Sequence, residues 1–345
     1  MRTFPARRAV LALLALVLGL ALLTPLLPTD PYLRYQLLEG TIYDRSRWIY
    51  ERIHFDPAPI DVAFVGSSRT GAGISAPHLQ ARLAAAGVPA GVANFSMPEN
   101  GRDLHWIIEK EMLSAKKPRL IVILVIEKPG RFGHPAYRYL APTADVIDPG
   151  YLANIKYPGN IIAFPYRQFR LVAGAIAPET FGMTRQFDPA RYAGTGYDTT
   201  VSFTTGDGDF IERDKVVPAA TLAEGVRRYE KGVNPPILKP DLADLEFGDE
   251  RTNIARMAKT AAAQGSKIAF LFLPYYTGPH TIQERRFYER FGPVLDASFI
   301  SDQSQYYSDA AHLNHAGALV ISDWLAPRIA ALLAERPAQP ATAGR

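Results

Sequence analysis

The amino-acid sequence predicts an α/β protein built on a mainly parallel β-sheet, and three observations support this fold class. Between residues 61 and 126, short apolar runs typical of buried strands alternate with longer stretches typical of helices. A second apolar run follows at 267–274, and the apolar stretch 318–333 predicts a long closing helix. The chain has 345 residues, 48% of them hydrophobic, which is ample for one sizeable core.

Residues 1–27 predict a membrane anchor. Arg2, Arg7 and Arg8 precede an almost wholly apolar stretch, 9–27, which at about 1.5 Å per residue nearly spans the hydrocarbon core. The basic flank is expected to stay in the cytoplasm, which gives a single-pass protein of the inner (cytoplasmic) membrane with an extracytoplasmic, periplasmic C-terminal domain. A cleaved signal peptide is the alternative, although the apolar region is long for one and no clear cleavage site follows.

The remaining chain divides into a connector, one domain and a tail. Residues 28–60 are rich in aromatic side chains, which we expect to pack mostly on the domain, with the membrane interface as the alternative. The domain is predicted at 61–335, and its irregular stretch at about 129–240, rich in Pro, Gly, Tyr and Phe, predicts a large insertion packed over the sheet edge. Residues 336–345, mostly Pro, Ala and Gly, are predicted to be disordered.

The periodicity within the domain predicts individual elements. The predicted strands are 62–65, 91–95, 120–126 and 267–274, with 299–301 leading into the last strand. The predicted helices are 76–86, 104–116, 166–176, 249–264, 284–291 and the closing helix that ends near 335.

Composition excludes several classes of function. The chain has no cysteine, so neither disulfides nor thiol chemistry is available. Its net charge of +4 is small and its basic residues are dispersed, which does not indicate nucleic-acid binding.

His312 and His315 lie one turn apart without a third ligand at matching spacing, so no metal is expected. The stretch 206–209 resembles a fragment of a calcium loop but is predicted to be a turn, and no cofactor is expected.

Two adjacent serines follow the first predicted strand. Gly66 permits a sharp turn, and Ser67 and Ser68 come next. Because sites in open α/β sheets lie beyond the carboxyl ends of strands, a serine here stands where chemistry is done. The alternative is that either serine caps the next helix. Arg69 could hold a phosphate or carboxylate of a substrate, or form a salt bridge to the scaffold.

A second polar motif precedes the closing helix. Asp309 stands three residues before His312, a spacing that can put the carboxylate against one imidazole nitrogen while the other faces outward. That is the orienting half of a serine triad. The alternative is that Asp309 caps the helix and His312 is solvated.

Together, these motifs resemble the SGNH (GDSL-like) hydrolase superfamily in sequence and in order, over residues 61–128 and 267–333. The resemblance implies a three-layer α/β/α fold around a mainly parallel sheet. It also implies that Ser68 is the nucleophile, that His312 is the base and that Asp309 orients it.

The other family blocks match only in part. Residues 92–101 resemble the second block, which implies that the backbone N–H groups of Ser68 and Ser96 form the oxyanion hole, and Asn100 in this stretch is a candidate substrate-binding residue together with Arg69. The family's oxyanion asparagine after the third strand is missing, because the sequence there reads Glu-Lys-Pro-Gly. One lost donor costs about 100- to 1,000-fold in rate, so another group must supply it or this branch works differently.

The anchor and the Gly-Ser-Ser-Arg turn make the chain similar to proteins that O-acylate envelope or secreted polysaccharides and to D-alanyl-lipoteichoic acid biosynthesis proteins. The resemblance implies an O-acyltransferase that acetylates a glycan acceptor, with a multi-spanning membrane O-acyltransferase as partner. The first alternative is an extracytoplasmic carbohydrate esterase or deacetylase with the same residues. The second is a non-catalytic glycan-binding partner of the membrane enzyme, which the missing asparagine keeps open.

Overall fold

The computed structural model describes residues 4–127, 130–148, 156–232 and 237–335. Its strands are β1 (Val62–Val65), β2 (Val92–Asn94), β3 (Leu120–Val125), β4 (Phe203–Thr204), β5 (Phe210–Ile211), β6 (Lys267–Phe272) and β7 (Val294–Asp296). Five of them form a parallel sheet in the order β2-β1-β3-β6-β7, while β4 and β5 pair as a separate antiparallel hairpin.

The order of the strands positions a crevice at one edge of the sheet. The chain runs from β1 to β2 on one side and then returns to β3 on the other side, so that Val62 aligns with both Val92 and Leu120. Such a reversal opens a crevice beyond the carboxyl ends of the two diverging strands, here β1 and β3. Both strands are buried along their whole length, which explains their unbroken apolar sequences.

Helices cover both faces of the sheet. They are α1 (Phe4–Leu23), α2 (Pro31–Gln36), α3 (Ser46–His54), α4 (Ser68–Gly73), α5 (Ala76–Ala85), α6 (Arg102–Ala115), α7 (Tyr137–Leu140), α8 (Thr143–Val146), α9 (Tyr157–Ile176), α10 (Ala219–Gly232), α11 (Ala243–Glu246), α12 (Gly248–Ala263), α13 (Arg285–Tyr288) and α14 (His315–Ala334). Helices α5 and α14 pack on one face, and α3, α6 and α12 pack on the other. The α/β class and the mainly parallel sheet are therefore confirmed.

Two details of the predicted elements are wrong. Residues 299–301 lie in the 3-10 turn Ser298–Ile300 and at its C-terminal end. They do not lead into the last strand, because that strand is β7, which precedes the turn. Strand β7 is a half-buried edge strand, so it lacks the long apolar run that marks a central strand. The helix predicted at 284–291 shortens to α13.

Helix α1 is the apolar N-terminal helix. The segment Arg7–Leu26 is long and apolar enough to cross a membrane, and its large side chains are exposed, as at Leu14, Leu18 and Leu22. Helix α14 is also long and apolar enough to cross a membrane, but it packs on the sheet with buried positions such as Ile321. The start of the predicted anchor, 1–3, and the tail predicted to be disordered, 336–345, lie outside the described residues.

The connector is folded against the domain. Helices α2 and α3 bury Tyr32, Tyr35, Trp48 and Tyr50, which join the core cluster on one face of the sheet. Tyr43 is only partly buried, and its hydroxyl donates to Glu99 Oε1 at 2.9 Å. Packing therefore accounts for most of the aromatic side chains of this segment.

The stretch between β3 and α12 contributes no strand to the five-stranded sheet within the described residues. It contains α7 to α11 and the β4-β5 hairpin, and α9 packs on the connector, where Leu171 clusters with Leu33 and Leu37. The stretch 206–209 lies in the turn of the hairpin, with Gly208 at φ +98, as predicted for a turn.

Candidate active site

Ser68 is the first residue of α4, directly beyond the carboxyl end of β1. Gly66 makes the connecting turn possible, because a Cβ at this position would lie 2.1 Å from Thr70 Oγ1. Ser67 caps the helix, and its Oγ accepts the N–H of Arg69 at 3.3 Å. The capping alternative thus applies to Ser67 and leaves the Ser68 hydroxyl for another role.

The structure brings Ser68, His312 and Asp309 together. Nε2 of His312 lies 2.8 Å from Ser68 Oγ, and Nδ1 lies 2.9 Å from both carboxylate oxygens of Asp309. The carboxylate is itself fixed, because its Oδ1 accepts the backbone N–H groups of Ala311 at 2.8 Å and of His312 at 3.0 Å. This order of contacts lets His312 take a proton from Ser68 while Asp309 holds the imidazole.

The surroundings keep Asp309 ionised. Burial raises its pKa, but the hydrogen bond and charge of His312, the Ala311 N–H and the charge of Arg213 outweigh burial and lower the pKa to about 2. The side chains of His312 and Asp309 are 24% and 52% exposed, so solvent reaches the triad from the Asp309 side.

A pocket of about 420 Å³, including the space at its mouth, opens beside Ser68. Arg45 reaches it from the connector, Ser96 from the loop after β2, and Tyr197 and Thr199 from the stretch after α9. Segments far apart in sequence therefore meet at the Ser68 hydroxyl.

Arg45 is the most unusual side chain of the pocket. The residue is only 7% exposed, and Nη1 donates to Ser96 Oγ at 2.7 Å and to Thr199 Oγ1 at 3.2 Å. Its guanidinium carbon lies 5.1 Å from the ring centres of both Trp48 and Tyr197. Burial lowers the pKa of Arg45, and none of the ion pairs within the described residues includes it. The carboxylates of Asp198 and Asp44 act on this guanidinium without a direct ion pair, so its burial is still costly, which points to a role in the pocket.

Ser96 lies at the site, but its hydroxyl and not its backbone N–H is the group available there. Its backbone N–H donates to Asn94 Oδ1 at 3.2 Å, so that N–H is engaged within the loop and the predicted oxyanion role of this group needs correction. Its hydroxyl accepts from Arg45 and lies against α4, because a Cβ at Gly71 would be 2.9 Å from Ser96 Oγ. Gly71 is one helical turn beyond Ser68, so the Ser96 hydroxyl lies near the nucleophile.

The two predicted substrate-binding residues are placed elsewhere. Arg69 is buried and pairs with Glu127 through two contacts of 2.7 and 3.1 Å, and its Nη2 donates to Tyr229 OH at 2.5 Å. The expectation that Arg69 binds substrate is therefore corrected in favour of its alternative, the scaffold salt bridge. Asn100 does not line the pocket, and its buried Oδ1 has no hydrogen-bond partner among the described residues.

Sequence reasoning missed Arg45, Thr199 and Arg213. Arg213 lines the pocket, and its Nη1 donates to Ser308 Oγ at 3.3 Å, next to Asp309. All three come from segments without a regular pattern, so no local signal marks them.

No metal centre accompanies the triad within the part of the chain that is described, where no group of three or more His, Asp or Glu side chains could hold an ion. His315 is used otherwise, since its Nδ1 lies 3.2 Å from Thr200 Oγ1.

Comparison with known proteins assigns no family. No model of a known protein family matches the chain, and no curated protein matches it. The fold and the site define an α/β protein with a Ser-His-Asp arrangement at the carboxyl edge of its sheet.

Proposed function

We propose that this chain belongs to the SGNH (GDSL-like) hydrolase superfamily and acts as a membrane-anchored O-acyltransferase that acetylates a glycan. The observation that carries the proposal is the 2.8 Å contact between His312 Nε2 and Ser68 Oγ, with Asp309 on the other imidazole nitrogen. The position of Ser68 supports the proposal further, because this residue follows β1 at the crevice where the strand order reverses between β2 and β3.

The reaction proceeds in two acyl transfers. In the first, Ser68 Oγ attacks the carbonyl carbon of an acyl donor while His312 Nε2 takes the hydroxyl proton. The bond to the leaving group breaks, the leaving group receives the proton from His312, and an acyl ester of Ser68 remains. In the second, a sugar hydroxyl gives its proton to His312, attacks the ester carbonyl and releases Ser68, which regains the proton. Asp309 stabilises the imidazolium formed in each step.

Two donors form the oxyanion hole in this proposal, namely the Ser68 N–H and the Ser96 hydroxyl. The Ser68 N–H, at the first position of α4, has no acceptor within the described residues and benefits from the positive end of the helix. The Ser96 hydroxyl is the second donor. Because its oxygen already accepts a charged N–H from Arg45, its own hydrogen is free to point at the developing oxyanion and is made a stronger donor. Arg45 acts through Ser96 as a positioning residue.

Helix α1 would anchor the domain in the cytoplasmic membrane, with the domain on the extracytoplasmic side. This topology supports a role beside a multi-spanning membrane O-acyltransferase that supplies acyl groups. The stretch from about 129 to 240 would then be the insertion that gives this member its own pocket walls, since Tyr197 and Thr199 come from it.

An extracytoplasmic carbohydrate esterase is the second candidate, and one observation favours it. Asp309 is half exposed and His312 is not sealed from solvent, so water can reach the acyl-enzyme. Water in place of the sugar hydroxyl turns the same triad into a hydrolase.

Activity of the full chain in nanodiscs towards a chromogenic acetyl ester, with and without an oligosaccharide acceptor, tests the proposal. We expect acetylated acceptor from the wild type and from Ser67→Ala, the matched control that removes only a helix cap, and none from Ser68→Ala. Ester loss to water with no acetylated acceptor would establish the esterase instead. A folded protein without any turnover would leave only the glycan-binding role.

The oxyanion assignment has its own test. Ser96→Ala is expected to lower kcat by about 100- to 1,000-fold with little change in KM, because the lost bond forms only in the transition state. Arg45→Gln should lower kcat in the same direction, and Arg45→Lys should restore part of it. An unchanged kcat in Ser96→Ala would exclude the hydroxyl as the donor.

A further inference from the structure

Helix α9 has a second apolar face that the described part of the chain leaves uncovered. Its inner face is buried at Phe164, Gln168 and Leu171. Its outer face exposes large apolar side chains, namely Ile162 (80%), Tyr166 (65%), Phe169 (50%) and Ile176 (80%). Their spacings of 4, 3 and 7 residues put them on one side of an α-helix. An exposed apolar stripe of this kind is typical of a surface that contacts a partner or a membrane.

The middle of α9 is attached to the end of α1. Gln168 Nε2 donates to the carbonyl oxygen of Thr24 at 3.2 Å, and both residues are buried. Thr24 is the first residue after α1. One turn further along α9, Leu171 packs with Leu33 and Leu37, which follow in the connector. The inner face of α9 is therefore fixed to the chain segment that leaves α1.

The length of α1 sets the depth at which α9 lies. Arg7 and Arg8 stay at the cytoplasmic boundary, so the apolar residues 9–26 cross the hydrocarbon core, and these 18 residues span about 27 Å at 1.5 Å per residue. Thr24 then lies within about one turn of the outer boundary of the hydrocarbon, and α9, which is attached to it, lies at that boundary. Arg170, half-buried beside the exposed stripe, can reach a lipid phosphate from this depth.

We infer that the outer face of α9 inserts into the boundary between lipid headgroups and acyl chains. The occupant is the phospholipid bilayer, because the stripe lies on a helix that is attached to Thr24, the residue at which the exposed apolar surface of α1 ends. The inference rests on the anchoring part of the proposed function and not on the chemistry of Ser68. A second contact beside α1 fixes the orientation of the whole domain on the membrane, since one helix alone would let it rotate.

The absence of cysteine gives a direct test, because single cysteines can be introduced into the full chain without background. The full-length protein is placed in nanodiscs of phosphatidylcholine and phosphatidylglycerol and carries a nitroxide at Ile162→Cys or Phe169→Cys. Leu16→Cys, on α1, is the membrane-embedded reference. Ala81→Cys is the solvent reference. Ala81 is exposed on α5, and α5 packs on the face of the sheet opposite to the connector that carries α9. Accessibility is measured by power saturation with oxygen and with a water-soluble nickel chelate.

We expect the labels at 162 and 169 to collide with the nickel chelate several-fold less often than the label at 81, and with oxygen more often. Nickel accessibility at 162 and 169 equal to that at 81, with a shielded label at 16, would overturn the inference and leave the anchor intact. An exposed label at 16 would overturn the anchor and the inference with it. The Ser68-dependent ester assay is independent of all three outcomes.

Discussion

Replacing Glu127 by glutamine leaves the Arg69 guanidinium buried without its counter-charge. The two side chains are 5% and 7% exposed and are joined at 2.7 Å, so water cannot compensate the loss. Breaking a buried ion pair from one side costs about 3–5 kcal/mol, because the remaining charge stays desolvated. Glutamine keeps an oxygen for Tyr229, which makes the charge the main quantity that changes.

Urea unfolding of the detergent-solubilised full chain, followed by tryptophan fluorescence, measures the effect. Glu224→Gln is the matched control, because its pair with Arg228 is 3.6 Å long with side chains 61% and 72% exposed. That pair should contribute at most about 1 kcal/mol. Burial raises the pKa of Glu127, but the charge and hydrogen bond of Arg69 outweigh burial and lower it. The ion pair therefore stabilises the fold fully above the pKa that Glu127 has in the unfolded chain, and this stabilisation is lost as pH falls through the lower pKa of the folded protein.

A loss below about 1 kcal/mol in Glu127→Gln would refute the structural role assigned to Arg69, since a buried pair cannot be that cheap to break. The double variant with Arg69→Met separates charge from packing. It should be more stable than Glu127→Gln alone, because no charge is then buried unpaired.

Three further predictions concern the site and the core. Gly66→Ala should cost about 1–3 kcal/mol or more in thermal unfolding, because its Cβ would meet Thr70 Oγ1 at 2.1 Å, whereas Gly159→Ala meets open space and should change little. Asp309→Asn should lower kcat by about 10,000-fold by favouring the wrong imidazole tautomer, and an unchanged kcat would remove Asp309 from the mechanism. Burial raises the pKa of Asp103 to about 7, so this group's contribution to stability is complete below about pH 4 and is lost as pH rises through 7. Asp103→Asn should flatten that fall in unfolding experiments between pH 4 and 8, and an unaltered slope would contradict it.

Much of the sheet could be predicted from sequence because its strands are buried on both faces. The apolar run 120–126, between Pro118 and Glu127, is short for a helix, which favours a buried strand. Strand β7 could not be predicted in the same way, since half-exposed edge residues carry little pattern. Helix α4 could not be predicted, because it is short and contains two glycines.

The candidate triad could be predicted because each half has a local motif of fixed spacing. Ser68 follows a strand and a glycine, and Asp309 lies three residues before His312. The pocket could not be predicted from the sequence, because Arg45 and Thr199 are 154 positions apart and meet only through tertiary packing. The position of Arg69 beside Ser68 allowed either a substrate contact or a scaffold salt bridge, and only the structure decides for the salt bridge to Glu127.

Labelling by a fluorophosphonate, mapped by mass spectrometry in the full-length protein, tests whether Ser68 is an activated nucleophile. An activated serine reacts with this probe, whereas an ordinary hydroxyl does not. We expect a single phosphonylated residue, Ser68, in the wild type and in Ser67→Ala, with labelling strongly slowed in His312→Ala. A folded protein that stays unlabelled, or one labelled at Ser67 or elsewhere, would contradict this expectation.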